Sequence, residues 1–302
     1  MGGPSWNKVG QVFTAAQGEF SSLYWPWVLD RGQYPALSSS FVGRYVMYYS
    51  TDHGAGGVAV ATADNPAGPW TNHGQVFNDA GPGFSTETPS VWWDPQSSLF
   101  RMFYQQAGVG ASQSTLQATS AEGLSWSKLP QANGILGQPG PFPGDGHTGY
   151  AIPSAGPGLR EMVAYHLMGG GDRPCFGMSV SKDHGATWRT DPRPLMYGWD
   201  QVQPVAPGMR IEWNSGHVRE HDGRRWWVGL ISNFSSGGGA VSRHIVQAPL
   251  SDDGRRLLGV PEKVFPTDPA SNLRAVFLLQ QPTSRWLYYQ VGNTISVAEA
   301  VA

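Results

Sequence analysis

One eight-residue pattern occurs twice near the start of the chain. Trp6-Asn7-Lys8-Val9-Gly10-Gln11-Val12-Phe13 and Trp70-Thr71-Asn72-His73-Gly74-Gln75-Val76-Phe77 both read W-x-x-x-G-Q-V-F. Related Trp-led segments begin at Trp126 and Trp188, and another ends at Glu262-Lys263-Val264-Phe265. A spacing of roughly 60 residues is that of a repeated supersecondary unit. Chance recurrence of Trp in a Trp-rich chain would not bring the flanking segments along, and here they recur too.

Each Trp-led segment follows a strand of small residues that ends in a turn: Ala59–Asp64 before Trp70, Leu116–Gly123 before Trp126, Met178–Asp183 before Trp188. An aromatic strand comes before that: Tyr45–Tyr49, Phe100–Tyr104, Met162–His166, Trp226–Leu230 and Trp286–Gln290. Alternation with aromatic and β-branched content marks half-buried strands. The inner strands are expected at Trp25–Leu29, Thr88–Trp93, Thr148–Ser154, Glu212–Arg219 and Leu273–Leu279. Four-stranded sheets repeated around an axis are propeller blades, so the expected fold is a single all-β domain over residues 1–302, a five-bladed β-propeller. The fifth unit lacks an outer strand before Ala302, and Trp6–Phe13 is expected to supply it and close the ring.

Composition agrees. The 302 residues include 40 Gly and 24 Pro, which punctuate many short strands, and no window sustains a helical period. Net charge is −2 and charged residues are 14%, which argues against a nucleic-acid partner. No apolar run approaches the roughly 20 residues of a membrane helix. Cys175 is alone, so neither a disulfide nor a Cys-based metal site is expected. MGGPSW carries no basic-then-apolar leader, so the expectation is either a cytoplasmic protein or one whose leader has been removed.

Two local motifs carry a family resemblance. Ala61-Thr62-Ala63-Asp64-Asn65-Pro66-Ala67-Gly68-Pro69-Trp70, after Arg44-Tyr45-Val46-Met47-Tyr48-Tyr49-Ser50, resembles the turn and strand of five-bladed glycoside hydrolases of families 43, 62 and 117. Ser181-Lys182-Asp183-His184-Gly185-Ala186-Thr187-Trp188 is similar to the S-x-D-x-G-x-T-W Asp-box of sialidases, with a degenerate copy at Thr119–Trp126. An Asp-box is a hairpin turn, so Asp183 is expected to be structural. Sialidases normally have six blades and an arginine triad; only five blades fit here, which sets the chain apart from sialidases themselves.

The resemblance implies a pocket at one end of the central channel, lined by the starts of the inner strands. Glycoside hydrolysis needs two carboxyl groups across the scissile bond. Glu87, before a Pro-containing strand, is one candidate; capping a loop or pairing with an arginine is its structural alternative. Glu212 sits in the polar run Glu212-Trp213-Asn214-Ser215-Gly216-His217, whose burial requires partners or a use. Asp145 and His147, set among glycines, are assisting candidates or an ordinary surface loop, and the family-117 pattern gives a His the acid role. Where family 43 has a catalytic Asp, this chain has Trp25 in Tyr24-Trp25-Pro26-Trp27. The base then falls to Glu87, Asp145, Glu19 or Asp30, with Asp30 placed at the far end of its strand, where a turn-closing role is the alternative.

Trp25 and Trp27 are expected as subsite walls, because aromatic faces suit sugar rings. Tyr150, Trp213, Asn214, His217 and Arg274 complete the substrate-binding set, with pairing to Glu212 as the alternative for Arg274. No cofactor is expected; the resemblance admits a structural cation near the channel axis, beside His217. The expected partner is an oligosaccharide or polysaccharide, furanose-containing and arabinan-like by family, met by a monomer, with inversion of configuration. A non-catalytic carbohydrate-binding propeller, or a phosphorylase or transferase on the same scaffold, are the rival readings, since one fold hosts many functions.

Overall fold

The computed structural model describes residues 5–18, 20–52, 56–79, 81, 84–108, 114–130, 148–155, 162–168, 175–191, 196–197, 210–221, 223–234, 240–265, 273–281 and 284–301. For 84, 107–108, 114, 148–155, 166–168, 175–176, 190, 196–197, 210–216, 219, 233–234, 240–241, 274 and 280 the description concerns the backbone.

The described strands pair antiparallel into five sheets. β1 (Trp6–Thr14) precedes the first sheet, which runs β2 (Leu23–Asp30), β3 (Tyr45–Thr51), β4 (Val58–Ala63) and β5 (Thr71–Phe77). The second is β6 (Phe84–Asp94), β7 (Leu99–Gly108), β8 (Ser114–Ser120) and β9 (Ser127–Lys128). The third is β10 (Thr148–Ala155), β11 (Met162–Met168), β12 (Cys175–Ser181) and β13 (Arg189–Thr190), with β14 (Met196–Tyr197) also pairing β12. The fourth is β15 (Arg210–His221), β16 (Arg224–Phe234), β17 (Ala240–Pro249) and β18 (Glu262–Lys263). In the last, β19 (Leu273–Gln280), β20 (Arg285–Val291) and β21 (Thr294–Ala300) are joined by β1 at the edge. The first strands of successive sheets lie side by side, β2 against β6, β6 against β10, β10 against β15, β15 against β19, and β19 against β2. This is a β-propeller.

The W-x-x-x-G-Q-V-F repeat encodes a doubly bulged edge strand. β1 steps over Val9 and Val12 in its pairing with β21, and β5 steps over His73 and Val76 in its pairing with β4. The glycines between the steps have positive φ, 129° at Gly10 and 82° at Gly74. Trp6, Phe13 and Trp70 are buried, while the bulges twist the exposed edge and blunt it against pairing with other chains. The other outer strands are shorter than their sequence segments: β9, β13 and β18 are two residues each. Pro130 and Pro261 stand near the ends of β9 and β18 and have no N–H to donate.

In three of the second strands a central tyrosine meets a turn of a neighbouring sheet. Tyr48 Oη in β3 donates to Gly123 O at 2.8 Å, Tyr165 Oη in β11 to Gly254 O at 3.1 Å, and Tyr288 Oη in β20 to Pro66 O at 2.8 Å. In β7 the corresponding residue is Phe103, which has no hydroxyl and packs between Trp92 and Trp188 with centroids 4.6 and 5.3 Å away. Gly123 and Gly254 have φ of 79° and 71°, and a Cβ on either would stand 2.5 Å from the tyrosine oxygen. The turns at Gly123 and Gly254, and the turn at Gly185 beside Phe103, are held from within by a serine. In the Ser181–Trp188 turn, Ser181 Oγ donates to Asp183 Oδ1 and accepts Gly185 N–H, Thr187 N–H donates to Asp183 Oδ1, and Trp188 Nε1–H donates to Gly185 O. Ser120 accepts Gly123 N–H and Trp126 Nε1–H donates to Gly123 O in the same way, while Ser251 repeats the serine role without a Trp.

Candidate functional site

All five inner strands lose register near their first residues. The ladder breaks between Tyr24 and Trp27 in β2, Glu87 and Ser90 in β6, Thr148 and Ala151 in β10, Trp213 and Ser215 in β15, and Leu273 and Val276 in β19. A bulge re-aims the side chains it carries and ends regular pairing, and such breaks concentrate beside active sites. The stepped-over positions are Trp25-Pro26, Thr88-Pro89, Gly149-Tyr150, Asn214 and Arg274-Ala275. Trp25, Tyr150, Asn214 and Arg274 are thus at the bulges; the side chains of the last three, and those of Glu212 and Trp213, are not among those described. Asp145, His147 and Glu19 lie outside the described residues.

Two of the bulges are strained alike. Trp25 and Thr88 have φ of 46° and 57°, each directly before a proline. The left-handed region is costly for any residue with a Cβ, and a following proline narrows the choice further toward extended backbone. Sequence reasoning placed Glu87 ahead of its strand; it lies within β6, because Pro89 falls in the bulge and does not end the pairing.

Glu87 is 1% exposed and its carboxylate accepts the Ser85 hydroxyl. Its backbone is gripped from the first sheet on both sides. Thr86 N–H donates to Gly56 O at 3.0 Å, and Thr88 N–H donates to Ser50 Oγ at 2.7 Å. The same hairpin end holds the approach to β2: Asp52 Oδ1 accepts Ser21 N–H at 2.8 Å and Ser22 N–H at 3.2 Å, and Asp52 N–H donates to Ser22 O.

Deeper along the axis, Trp27, His217 and Phe277 from three different sheets pack together, with His217 edge-to-face on Phe277. The His217 ring is 5.1 Å from Trp27 and 4.9 Å from Phe277, and all three are buried. Burial pulls the His217 pKa down to about 3, so the imidazole is neutral. Trp25 is partly exposed, with its ring 5.3 Å from that of Tyr24. Among the described residues no three His, Cys, Asp or Glu side chains gather in a metal-binding group.

Asp30 sits at the opposite end of β2 from the bulges. It accepts Arg44 Nε and Nη2 at 3.1 and 2.9 Å, Gly32 N–H at 2.9 Å and Gln281 Nε2 at 2.6 Å. Burial pushes its pKa up, but these hydrogen bonds and the Arg44 charge outweigh it and hold the carboxyl below the usual range. Asp94 repeats the arrangement at the end of β6, with Arg101, Ser97 and Gln96. Asp30 is therefore a turn-closing, ion-paired carboxylate and stands away from the bulged ends. Sequence reasoning did not single out Ser50, Asp52 or Thr88; the prolines at 26 and 89 inside strand patterns were the available signal, since a strand proline marks a bulge.

No family model matches the chain. Over 108 residues it is 27% identical to the probable arabinan endo-1,5-alpha-L-arabinosidase C of Aspergillus clavatus, a match spanning 33% of this chain and 31% of that protein. Among solved structures it resembles a glycosyl hydrolase from Bacteroides ovatus, with TM-score 0.68 and 15% identity over 99% of this chain and 93% of that one. It also resembles the Bombyx mori GH32 beta-fructofuranosidase, with TM-score 0.66 and 10% identity; 97% of this chain is covered, and it spans 62% of that one. At these identities the likeness is one of fold, and the β-propeller of this chain is the fold it shares with both structures.

Proposed function

We propose that the chain is a glycoside hydrolase built as a five-bladed ring that β1 closes, taking a glycan at the end of the axis where the inner strands begin. The observation that carries this reading is the set of five register breaks at nearly the same depth. A regular sheet has no reason to break there in every copy, whereas a site needs side chains turned toward the axis. Ring closure is supported by the β1–β21 ladder, by β19 packing on β2, and by Tyr288 meeting the first sheet as Tyr48 meets the second.

In this reading Glu87 and Glu212 are the carboxyl pair, with Asp145 or His147 assisting. Trp25, Tyr150, Trp213, Asn214 and Arg274 hold the sugar, and Trp27 with His217 forms the floor. Stereochemistry follows the carboxyl separation: about 6.5–9.5 Å leaves room for water and inverts, about 5–5.5 Å retains. Inversion is the choice here. The partial likeness to an arabinosidase makes arabinan the first substrate to try. The protein acts as a monomer without a cofactor.

A carbohydrate-binding protein without hydrolysis is the second reading. It is favoured by the Ser85 contact and near-complete burial of Glu87, and by a tryptophan at position 25 in place of an acid. Incubation with debranched arabinan, branched arabinan and levan, followed by product chromatography and calorimetric titration, separates the two. Released sugars support the hydrolase; heat of binding without products supports the binding protein; neither refutes a carbohydrate site.

A further inference from the structure

We infer that the tip of the β3–β4 hairpin, acting through Ser50 and Asp52, is the positioning element of the axial site, and that it sets the Trp25 and Glu87 bulges in register with each other. As a statement about the site, this rests on the glycoside hydrolase reading. As a statement about the backbone, it rests on hydrogen bonds alone.

The inner edge of β6 has no ladder partner in its own sheet near its start. Its N–H groups at Thr86 and Thr88 flank Glu87, and both are taken up by the first sheet, through Gly56 O and Ser50 Oγ. The second bond matters most, because the Thr88 N–H belongs to the peptide unit that begins at the Glu87 carbonyl. Fixing that plane fixes the direction from which the Glu87 side chain leaves the strand, at a residue pair whose own backbone preference is otherwise. Ser50 is fully buried, so no water stands ready to replace its hydroxyl.

The second grip is on β2. Ser50 is the ladder partner of Tyr24, the last paired residue before the Trp25 bulge. Two residues on, Asp52 takes the positive φ of 38° and gathers Ser21 and Ser22, which lead into β2. One hairpin end therefore fixes two strained bulges, one carrying an aromatic platform and the other an acid. A displacement of about 1 Å between catalytic and binding groups costs on the order of 100-fold in rate.

The test uses the full chain and three variants, Ser50→Ala, Asp52→Ala and, as a structural control remote from the tip, Tyr288→Phe. Amide hydrogen exchange followed by mass spectrometry is measured on all. Faster exchange is expected over 84–91 in Ser50→Ala and over 20–27 in Asp52→Ala, with 285–300 unchanged in both. Unaltered exchange over 84–91 in Ser50→Ala overturns the inference. Turnover of debranched arabinan is then measured. In Ser50→Ala kcat is expected to fall on the order of 100-fold with KM shifted far less, and Tyr288→Phe is expected to lower the melting temperature with kcat retained. Faster exchange with kcat intact overturns the positioning role. If the unaltered protein cleaves nothing, the hydrolase reading fails, and the exchange result alone decides whether the tip couples the bulges.

Discussion

Removing the hydroxyl from Tyr48, Tyr165 or Tyr288 is expected to weaken the propeller by nearly the same amount at each place. A Tyr→Phe change keeps the buried ring and opens no cavity; it deletes a bond of 2.8–3.1 Å and leaves a buried carbonyl without that donor. Such a loss costs about 1–3 kcal/mol. Unfolding entropy is about 2.1 cal/mol/K per residue, or roughly 0.6 kcal/mol/K for 302 residues, so a loss of about 1.5 kcal/mol lowers the melting temperature by about 2–3 °C. The three bonds share no partner, so the shifts in a triple variant should add. Burial also holds all three phenols well above their ordinary pKa. A folded pKa raised above the unfolded value of about 10 gives stability that is complete below that pH and lost as pH rises above it, so the triple variant should lose less stability between neutral pH and about pH 11. Differential scanning fluorimetry across pH measures both effects. Tyr288→Phe without effect beside two destabilising changes would contradict the matching role given to the last sheet's junction with the first. No shift in any of the three would refute the latch.

The acid side of the stability profile should be set in part by His217. Its folded pKa is lowered, to about 3, so its contribution is present above the unfolded pKa of about 6.5 and is lost as pH falls toward 3, at about 1.4 kcal/mol per pH unit while only the unfolded chain holds the proton. Urea unfolding at pH 7, 5.5 and 4.5 should show a shallower acid loss in His217→Phe, and parallel curves would count against it. Gly74→Ala places a Cβ in open space at a φ of 82° and should cost only the conformational term of about 1–2 kcal/mol. Gly123→Ala has a similar φ but drives a Cβ to 2.5 Å from Tyr48 Oη, so its melting temperature should fall further; equal losses would show that the latch is loose there.

The repeat was legible because each strand type has its own chemistry: aromatic second strands, small-residue third strands and Trp-led outer strands, punctuated by glycines that must take positive φ. The tyrosine latches were not legible, because a hydroxyl buried against another sheet's turn leaves no periodicity; Tyr48 and Tyr49 look alike in sequence, yet one bonds Gly123 O and the other Asn72 Oδ1. Within the site, sequence pointed to Trp25, Tyr150, Asn214 and Arg274, all of which fall at register breaks. It missed Ser50 and Asp52, whose contacts are 30–38 residues away in the chain. It also did not foresee the burial of Glu87, which depends on how the neighbouring sheet closes over β6.

If acids at the bulged strand starts perform glycoside hydrolysis as proposed, initial rates on debranched arabinan for the unaltered chain, Glu87→Gln and Glu212→Gln will show it. Sugar release by the unaltered chain is expected, with a loss on the order of 100-fold or more in each variant and melting temperatures that show both still folded. Full activity in either variant, beside an active unaltered protein, would contradict it.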